Sequence, residues 1–397
     1  MITAVSISTT NIDDVELACE ELKSQIAGKI SLKKNTIGII QCDPEFIEEG
    51  ILEPLHKVLN FPLVGGTTVS AATNDQINRF IFSVMILTGD EVFFKASYTT
   101  GLYDDCFGAI DRSFKAAFEE SEKPLQMVLI FPTVTDNAEV PGDVYVEAVE
   151  QVCGTVPVFG TLSVNDSIEN YERSRSIYNN CAYSRELSYV LIYGDIKPRF
   201  FVAKTPKKSV LSSDSAGAVV TKIDGNNAVA EINNIPAVKY FESIEFATTG
   251  SLSKAMYFLP ILVTTRDADG SARKYVRALL GFDENGYATC RGKIPVGSKI
   301  SFASLNAADI LSTTADLVKE INQEENINVV IFFSCLIRQL SIGTDPLKEL
   351  AVIKDGIRKD IPFIASYSGG EISPVGHGPE DRPLNCFHNY SLIACVL

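Results

Sequence analysis

Three stretches of this chain repeat one unit. Each copy closes on a proline two or three residues ahead of a glycine or small-residue cluster. The closures read Phe61-Pro62-Leu63-Val64-Gly65-Gly66-Thr67-Thr68, Val156-Pro157-Val158-Phe159-Gly160-Thr161, and Ile361-Pro362-Phe363-Ile364-Ala365-Ser366-Tyr367-Ser368-Gly369-Gly370-Glu371. Small-residue turns at strand ends bring backbone amides close together, an arrangement that can hold a small polar ligand.

The repeat extends well beyond these turns. The first copy opens on an apolar strand at 4–7, followed by a helix with Val15, Ala18, Cys19, Leu22 and Ile26 on one face. Thr10 or Asn11 is placed to cap that helix, and Asp13 and Asp14 suit the positive end of its dipole. The second copy has a strand at 92–96 and a helix with Phe107, Ile110, Phe114 and Phe118 inward. The third has a strand at 300–303 and a helix with Ile310, Leu317, Val318 and Ile321 inward. Each helix leads to an apolar run without alternation (36–40, 127–131 and 329–333), as expected of strands covered on both faces. A second helix, the Pro-Gly strand and one last strand (80–87, 189–193, 390–397) complete each copy. This spacing predicts an α/β fold of mixed, largely parallel sheets with flanking helices, built from strand-helix-strand-helix-strand units.

Residues 196–296 break the rhythm. They read as short strands joined by hairpin turns at Asp224-Gly225 and Asp283-Glu284-Asn285-Gly286, with further strands at 259–260 and 275–282. At 397 residues the chain suits two domains. They are expected to be 1–207, with two copies, and 208–397, with the antiparallel β region and the third copy. The boundary falls in the polar stretch 205–215.

Apolar residues at 46% and charged residues at 21% describe a folded globular protein. A formal charge of −15 argues against nucleic acid and anionic membrane as partners, because phosphate binding needs clustered Lys and Arg. The tightest basic cluster, 204–208, reads as a solvated loop. Residues 1–30 lack a signal-peptide pattern, and no apolar stretch is long enough to cross a bilayer. The nine Cys show no C-x-x-C spacing, and Cys181, Cys335 and Cys395 lie inside apolar runs. They read as reduced thiols, so a cytoplasmic location without membrane insertion is expected.

In order and spacing these segments resemble the FIST family (F-box and intracellular signal transduction). The N-terminal half is similar to its first domain through Val64-Gly65-Gly66-Thr67-Thr68 and, more weakly, Phe159-Gly160-Thr161. The C-terminal half is similar to its second domain through Ile235-Pro236-Ala237, Tyr240, Tyr275-Val276-Arg277 and Gly292-Lys293-Ile294-Pro295-Val296-Gly297-Ser298. Ser334-Cys335-Leu336-Ile337-Arg338, Tyr367-Ser368-Gly369-Gly370-Glu371-Ile372 and His388-Asn389-Tyr390-Ser391 continue the likeness. The resemblance implies a ligand-sensing module that binds small molecules such as amino acids and feeds a signalling output. No kinase, cyclase, receptor or F-box segment is present, so a stand-alone protein acting on an unknown signalling partner is expected. Gly160-Thr161 stands where the family tends to have paired glycines.

Arg338 follows a buried run, near the carboxyl end of a strand where α/β sheets bind ligands, and its guanidinium suits a carboxylate. Glu371, behind two glycines, can face an ammonium group. Together they would hold a zwitterion such as an amino acid. Tyr367, Gly370, Asn389, Arg277, Gly66 and Thr67 complete the expected ligand set. A structural role stands beside each ligand role. Arg338 can pair with a scaffold acid, Glu371 can be a loop acid, and the glycines can serve close packing. Arg277 can be ion-paired, and Asn389 can secure a turn. No Lys follows Gly65-Gly66, so a nucleotide-phosphate loop is not expected, and neither a cofactor nor a metal site is indicated. Cys335, His388 and Glu371 could in principle form a catalytic set, but a Cys in an apolar run is usually inert. The sequence thus favours a sensor that is not an enzyme. A cysteine-dependent enzyme acting on a small metabolite and a ligand-free interaction module stay open.

Overall fold

The computed structural model describes residues 2–118, 123–135, 139–167, 170–205, 218–244, 259–266, 272–377 and 383–397. Apart from Lys204 and Thr205, the basic cluster at 204–208 and the boundary stretch 205–215 lie outside the described residues. Among those described, no helix is long and apolar enough to cross a membrane.

The first stretch gives β1 (Ile2–Thr9), α1 (Val15–Ile26), β2 (Asn35–Cys42), α2 (Pro44–Glu48), α3 (Leu52–Leu59), β3 (Leu63–Thr67), a hairpin of β4 (Ala71–Thr73) and β5 (Ile77–Asn78), and β6 (Phe82–Gly89). Ala18, Cys19, Leu22 and Ile26 of α1 are buried as their spacing predicts. The cap is Asp14, whose carboxylate accepts from the Leu17 amide at 2.9 Å. Asn11 is drawn away to donate to Glu21. The second stretch gives β7 (Val92–Thr99), α4 (Cys106–Ala117), β8 (Leu125–Pro132), α5 (Gly142–Cys153), β9 (Val158–Thr161), a hairpin of β10 (Ser176–Tyr178) and β11 (Cys181–Tyr183), and β12 (Leu187–Gly194). Of the four phenylalanine and isoleucine positions expected inward on α4, Ile110 and Phe114 are buried, whereas Phe107 and Phe118 are exposed. Phe118 is the C-cap, where the chain has left helical dihedrals.

The third stretch begins with β13 (Arg199–Lys204). A β-rich insert follows: β14 (Ala218–Asp224), β15 (Ala228–Ile232), β16 (Ile235–Pro236), α6 (Ala237–Ser243), β17 (Pro260–Arg266), β18 (Ala272–Phe282), β19 (Ala288–Cys290) and β20 (Lys299–Phe302). Then come α7 (Ala307–Ile321), β21 (Val330–Cys335), α8 (Leu336–Ile342), α9 (Lys348–Gly356), β22 (Phe363–Ser368), a hairpin of β23 (Glu371–His377) and β24 (Pro383–His388), and β25 (Ser391–Val396).

Three six-stranded sheets share one order: first strand, closing strand, second strand, third strand, then a borrowed hairpin. The first sheet runs β1-β6-β2-β3-β10-β11, the second β7-β12-β8-β9-β23-β24, and the third β13-β25-β21-β22-β4-β5. The loan is cyclic: the first stretch lends its hairpin to the third sheet, the second to the first, and the third to the second. The sheets are mixed, not largely parallel. Each holds one parallel pair (β2–β3, β8–β9, β21–β22), and its other pairs are antiparallel. The closing strand leaves the carboxyl end of the third strand through a hairpin, so it must run back against its neighbours.

The strand expected at 300–303 belongs elsewhere. As β20 it pairs with β14 and β17 in the insert, and β13 holds the place beside β25 that opens the third sheet. An apolar run directly before a helix mimicked the repeat because the insert separates β13 from α7. The insert closes into a barrel of β14-β20-β17-β18-β19-β15, sealed by β14–β15 pairing. Both expected hairpin turns are present. Gly225 and Gly286 take φ of 59° and 75°, and Asp283 accepts from the Asn285 and Tyr287 amides. Phe241 of α6 plugs the barrel, packed edge-on against Phe282 and Phe302.

Inner faces of the three sheets meet in a common core. Ile37, Val64, Met85, Leu129, Phe159, Phe333 and Ile393 share one buried cluster, with Phe333 5.4 Å from Phe159 and 6.0 Å from Phe131. Helices cover the outer faces: α1 and α3 on the first sheet, α4 and α5 with α7 and α9 on the others.

Candidate functional site

The three small-residue closures meet one another. Thr68 Oγ1 donates to the Tyr367 carbonyl at 2.7 Å, and the Val164 amide donates to the Thr67 carbonyl at 3.0 Å. The Leu162 amide donates to the Gly370 carbonyl, and the Gly369 amide to Leu162. A Cβ on Gly66 would sit 1.8 Å from Ser163 Oγ, and one on Gly369 would sit 1.9 Å from Val134 Cγ2. Only glycine permits this approach. The backbone groups expected to hold a ligand are spent on interlocking the copies. Thr67 is committed likewise, since its hydroxyl accepts from the Arg175 amide at 2.9 Å.

Arg338 and Glu371 come near each other, but in the interior and not on an open hollow. Arg338 is fully buried in the first turn of α8. Its guanidinium pairs with Glu349 at 2.6 Å and donates to Thr205, Thr314 and the Tyr390 carbonyl. Glu349 also accepts from Ser334 and Thr314. The structural reading of Arg338 therefore replaces the ligand one: the guanidinium has its carboxylate within the scaffold. Glu371 is fully buried and accepts from Ser368 Oγ at 2.7 Å. Burial pushes its carboxyl well above the usual range, against the lowering effect of Ser368 and Arg338; burial thus favours the protonated form, which is unsuited to hold an ammonium group. Tyr367 is buried with its hydroxyl on the Pro346 carbonyl, and Gly370 lies against the Phe387 ring. Asn389 secures the chain: its Oδ1 accepts from the Ala278 amide and its Nδ2 donates to the His388 carbonyl. Beside Asn389, Ser368 and Cys335 lies a cavity of about 30 Å³, room for a water molecule.

Among the described residues, Arg277 is the member of the expected set that lines a large cleft. A cleft of about 680 Å³ separates the barrel from the second sheet, within the size range of small-molecule sites. Its barrel wall is Thr264 to Arg266 of β17, Ala272 to Tyr275 and Arg277 of β18, and the segment from Lys293 to Lys299. The opposite wall is Asp143, Val146, Glu147 and Glu150 of α5, with Val375 and Leu384 to His388 of the borrowed hairpin. Lys204, at the end of β13, completes it.

A polar clamp ties the walls together. Arg277 Nη2 pairs with Asp143 Oδ1 at 2.7 Å, and Nε donates to the Lys293 carbonyl at 3.1 Å. Its guanidinium stacks 4.2 Å from the Tyr275 ring centroid. Asp143 Oδ2 accepts from the Lys293 amide, and Lys293 Nζ meets both oxygens of Glu147. Gly292, at φ 116°, lets the chain pass, since a Cβ there would lie 2.6 Å from Asp143 Oδ2. Asn385 fixes the hairpin by accepting from the Val158 amide and donating to Glu150.

Burial lowers the pKa of His388 to about 3, helped by Lys204 and Arg277. The ring is neutral, and its Nε2 donates to the Ser373 carbonyl at 3.1 Å. Burial, and then Glu371, pushes the Cys335 thiol well up. Cys335 and His388 are thus held neutral, the opposite of an activated thiolate–imidazole pair.

Sequence reasoning missed Asp143, Glu147, Lys204, Lys274, Lys293 and Lys299. The basic run at 273–277 and Lys293 inside the Gly292–Ser298 motif were visible signals. Nothing local linked them to α5, which lies more than a hundred residues away.

No curated protein matches the chain. The family model of the FIST C domain matches residues 239–374. That span runs from within α6 through the barrel strands β17 to β20 into β23, and so includes the barrel wall of the cleft and the Arg338 and Glu371 interior. Residues 239–374 are thus similar to the FIST C domain.

Proposed function

We propose that this protein is a sensor in signal transduction that takes a small polar ligand into the barrel cleft and does not transform it. The FIST C domain carries the association with signal-transduction sensing. The observation that carries the site is the cleft itself: about 680 Å³, walled by the barrel on one side and by α5 and the borrowed hairpin on the other, and lined by both signs of charge. An amino acid or similar zwitterion fits that chemistry. Lys204, Lys274 and Lys299 offer partners for a carboxylate, and Glu147, whose pair with Lys293 leaves it half exposed, can be shared with an ammonium group. Residues 1–207 would act as an N-terminal FIST-like domain, and ligand would shift the barrel against the sheets, a change read by an unidentified protein partner. All nine cysteines are free, which suits a cytoplasmic setting.

Thermal unfolding with the common amino acids, short peptides and dicarboxylates tests this reading. A ligand at a hundred times its Kd adds about 2.7 kcal/mol. A flat response across the panel refutes the sensor.

A further inference from the structure

We infer that the ligand of the barrel cleft carries two negative charges, on two carboxylates or on a phosphate; this rests on the sensor reading above. The chain as a whole is acidic, with 50 Asp and Glu against 35 Lys and Arg. Among the described residues, the lining of the cleft inverts that balance. Lys204, Arg266, Arg273, Lys274, Arg277, Lys293 and Lys299 line it, against Asp143, Glu147 and Glu150.

The three acids are already engaged. Asp143 is held by Arg277 and the Lys293 amide, Glu147 by Lys293, and Glu150 by Asn385. Burial also pushes the Glu150 carboxyl above its ordinary value. Lys204, Lys274 and Lys299 form no ion pair among the described residues, so the charge left over is positive.

Strand register sets two of these lysines side by side. Thr264 of β17 is the cross-strand partner of Lys274 on β18 and of Lys299 on β20. Direct cross-strand partners share a face with Cβ atoms about 5 Å apart, so the two lysines flank a hydroxyl at roughly 10 Å. Long flexible stems can bring both ammonium groups onto one small dianion lying over Thr264. Lys204 faces the same space, and desolvation depresses its pKa, a cost that a bound anion reverses. A positive cleft in an acidic protein also concentrates field lines and favours capture of anions.

The experiment is a titration of the whole chain by calorimetry with succinate, glutamate, glycerol 3-phosphate and alanine at low and high salt. It is repeated on Lys274→Gln and Lys299→Gln, whose exposed side chains leave folding intact, as thermal unfolding verifies. The expected result is binding of a dianion tighter than alanine and weakened by salt, with each variant at least fivefold weaker. The carboxylate and phosphate arms identify which group is recognised. Binding of alanine alone, or dianion binding indifferent to both variants, overturns the inference and leaves the sensor standing. Absence of binding in every arm overturns both.

Discussion

Replacing Glu349 by Ala should be among the most damaging single changes in the C-terminal half. Glu349 and Arg338 are both fully buried, and the carboxylate accepts from Arg338 Nε and Nη2, Thr314 Oγ1 and Ser334 Oγ. The variant leaves a guanidinium inside the protein without its counter-charge, which costs about 3–5 kcal/mol. At a slope of about 3 kcal/mol per molar urea, the unfolding midpoint falls by roughly 1 M or more. The matched double variant, Arg338→Met with Glu349→Leu, removes both charges and keeps apolar volume. It should recover most of that loss, because desolvating an ion pair offsets much of its attraction. Urea unfolding of wild type, Arg338→Met, Glu349→Leu and the double closes a cycle whose coupling term is expected at about 2 kcal/mol or more. A Glu349→Ala loss below about 1 kcal/mol, or a double no more stable than the singles, would refute the scaffold role of Arg338 and return it to the ligand set.

Two further outcomes follow from the interior. Gly66→Ala should lose about 1–3 kcal/mol, because its Cβ meets Ser163 Oγ; adding Ser163→Gly should restore part of it, and no recovery in chemical denaturation would deny the interlock. His388 is neutral in the fold with a pKa near 3, so the unfolded chain binds its proton more readily. Its stabilising share is complete above the unfolded value of about 6.5 and is lost as pH falls toward 3, by roughly 4–5 kcal/mol in total. His388→Gln should therefore narrow the gap to wild type as pH drops through that window, and a constant gap in unfolding free energy would contradict the burial argument.

Buried strands and helix faces were legible because each stretch carries its own local signals: an apolar run, an amphipathic helix, a proline and a small-residue turn. These fixed the buried strands β2, β8 and β21 and the inward faces of α1 and α7. Strand direction was not legible, since an apolar run covered on both faces reads the same in either orientation. The exchange of hairpins was hidden for a related reason. The short β4, β10 and β23 carry no mark of whether they pair within their own stretch or in the next sheet. Arg338 stood out as a guanidinium near a strand's carboxyl end, but its burial did not, and its partner Glu349 sits in an ordinary amphipathic turn. Sequence could not tell an internal carboxylate from a ligand's. The cleft was illegible for a third reason: its walls are joined by contacts such as Arg277–Asp143 across 134 positions.

The hairpin of β23 and β24 gives the cleft a route to the rest of the molecule. At one end Val375 and Leu384 to His388 line the cavity. At the other, Glu371 pairs in register with Thr161 of β9 and accepts from Ser368, beside the three interlocked turns. The hairpin belongs in sequence to the third stretch and in space to the second sheet. On the proposed reading, a ligand that shifts the barrel against α5 would load the Arg277–Asp143 clamp and, through Asn385 and Phe387, that hairpin. Ligand energy can move such an element only by binding two arrangements of the barrel with different affinity. The clamp is suited to that discrimination because Asp143 and Lys293 each bond to more than one partner across the gap, so a shift of the barrel changes several contacts together.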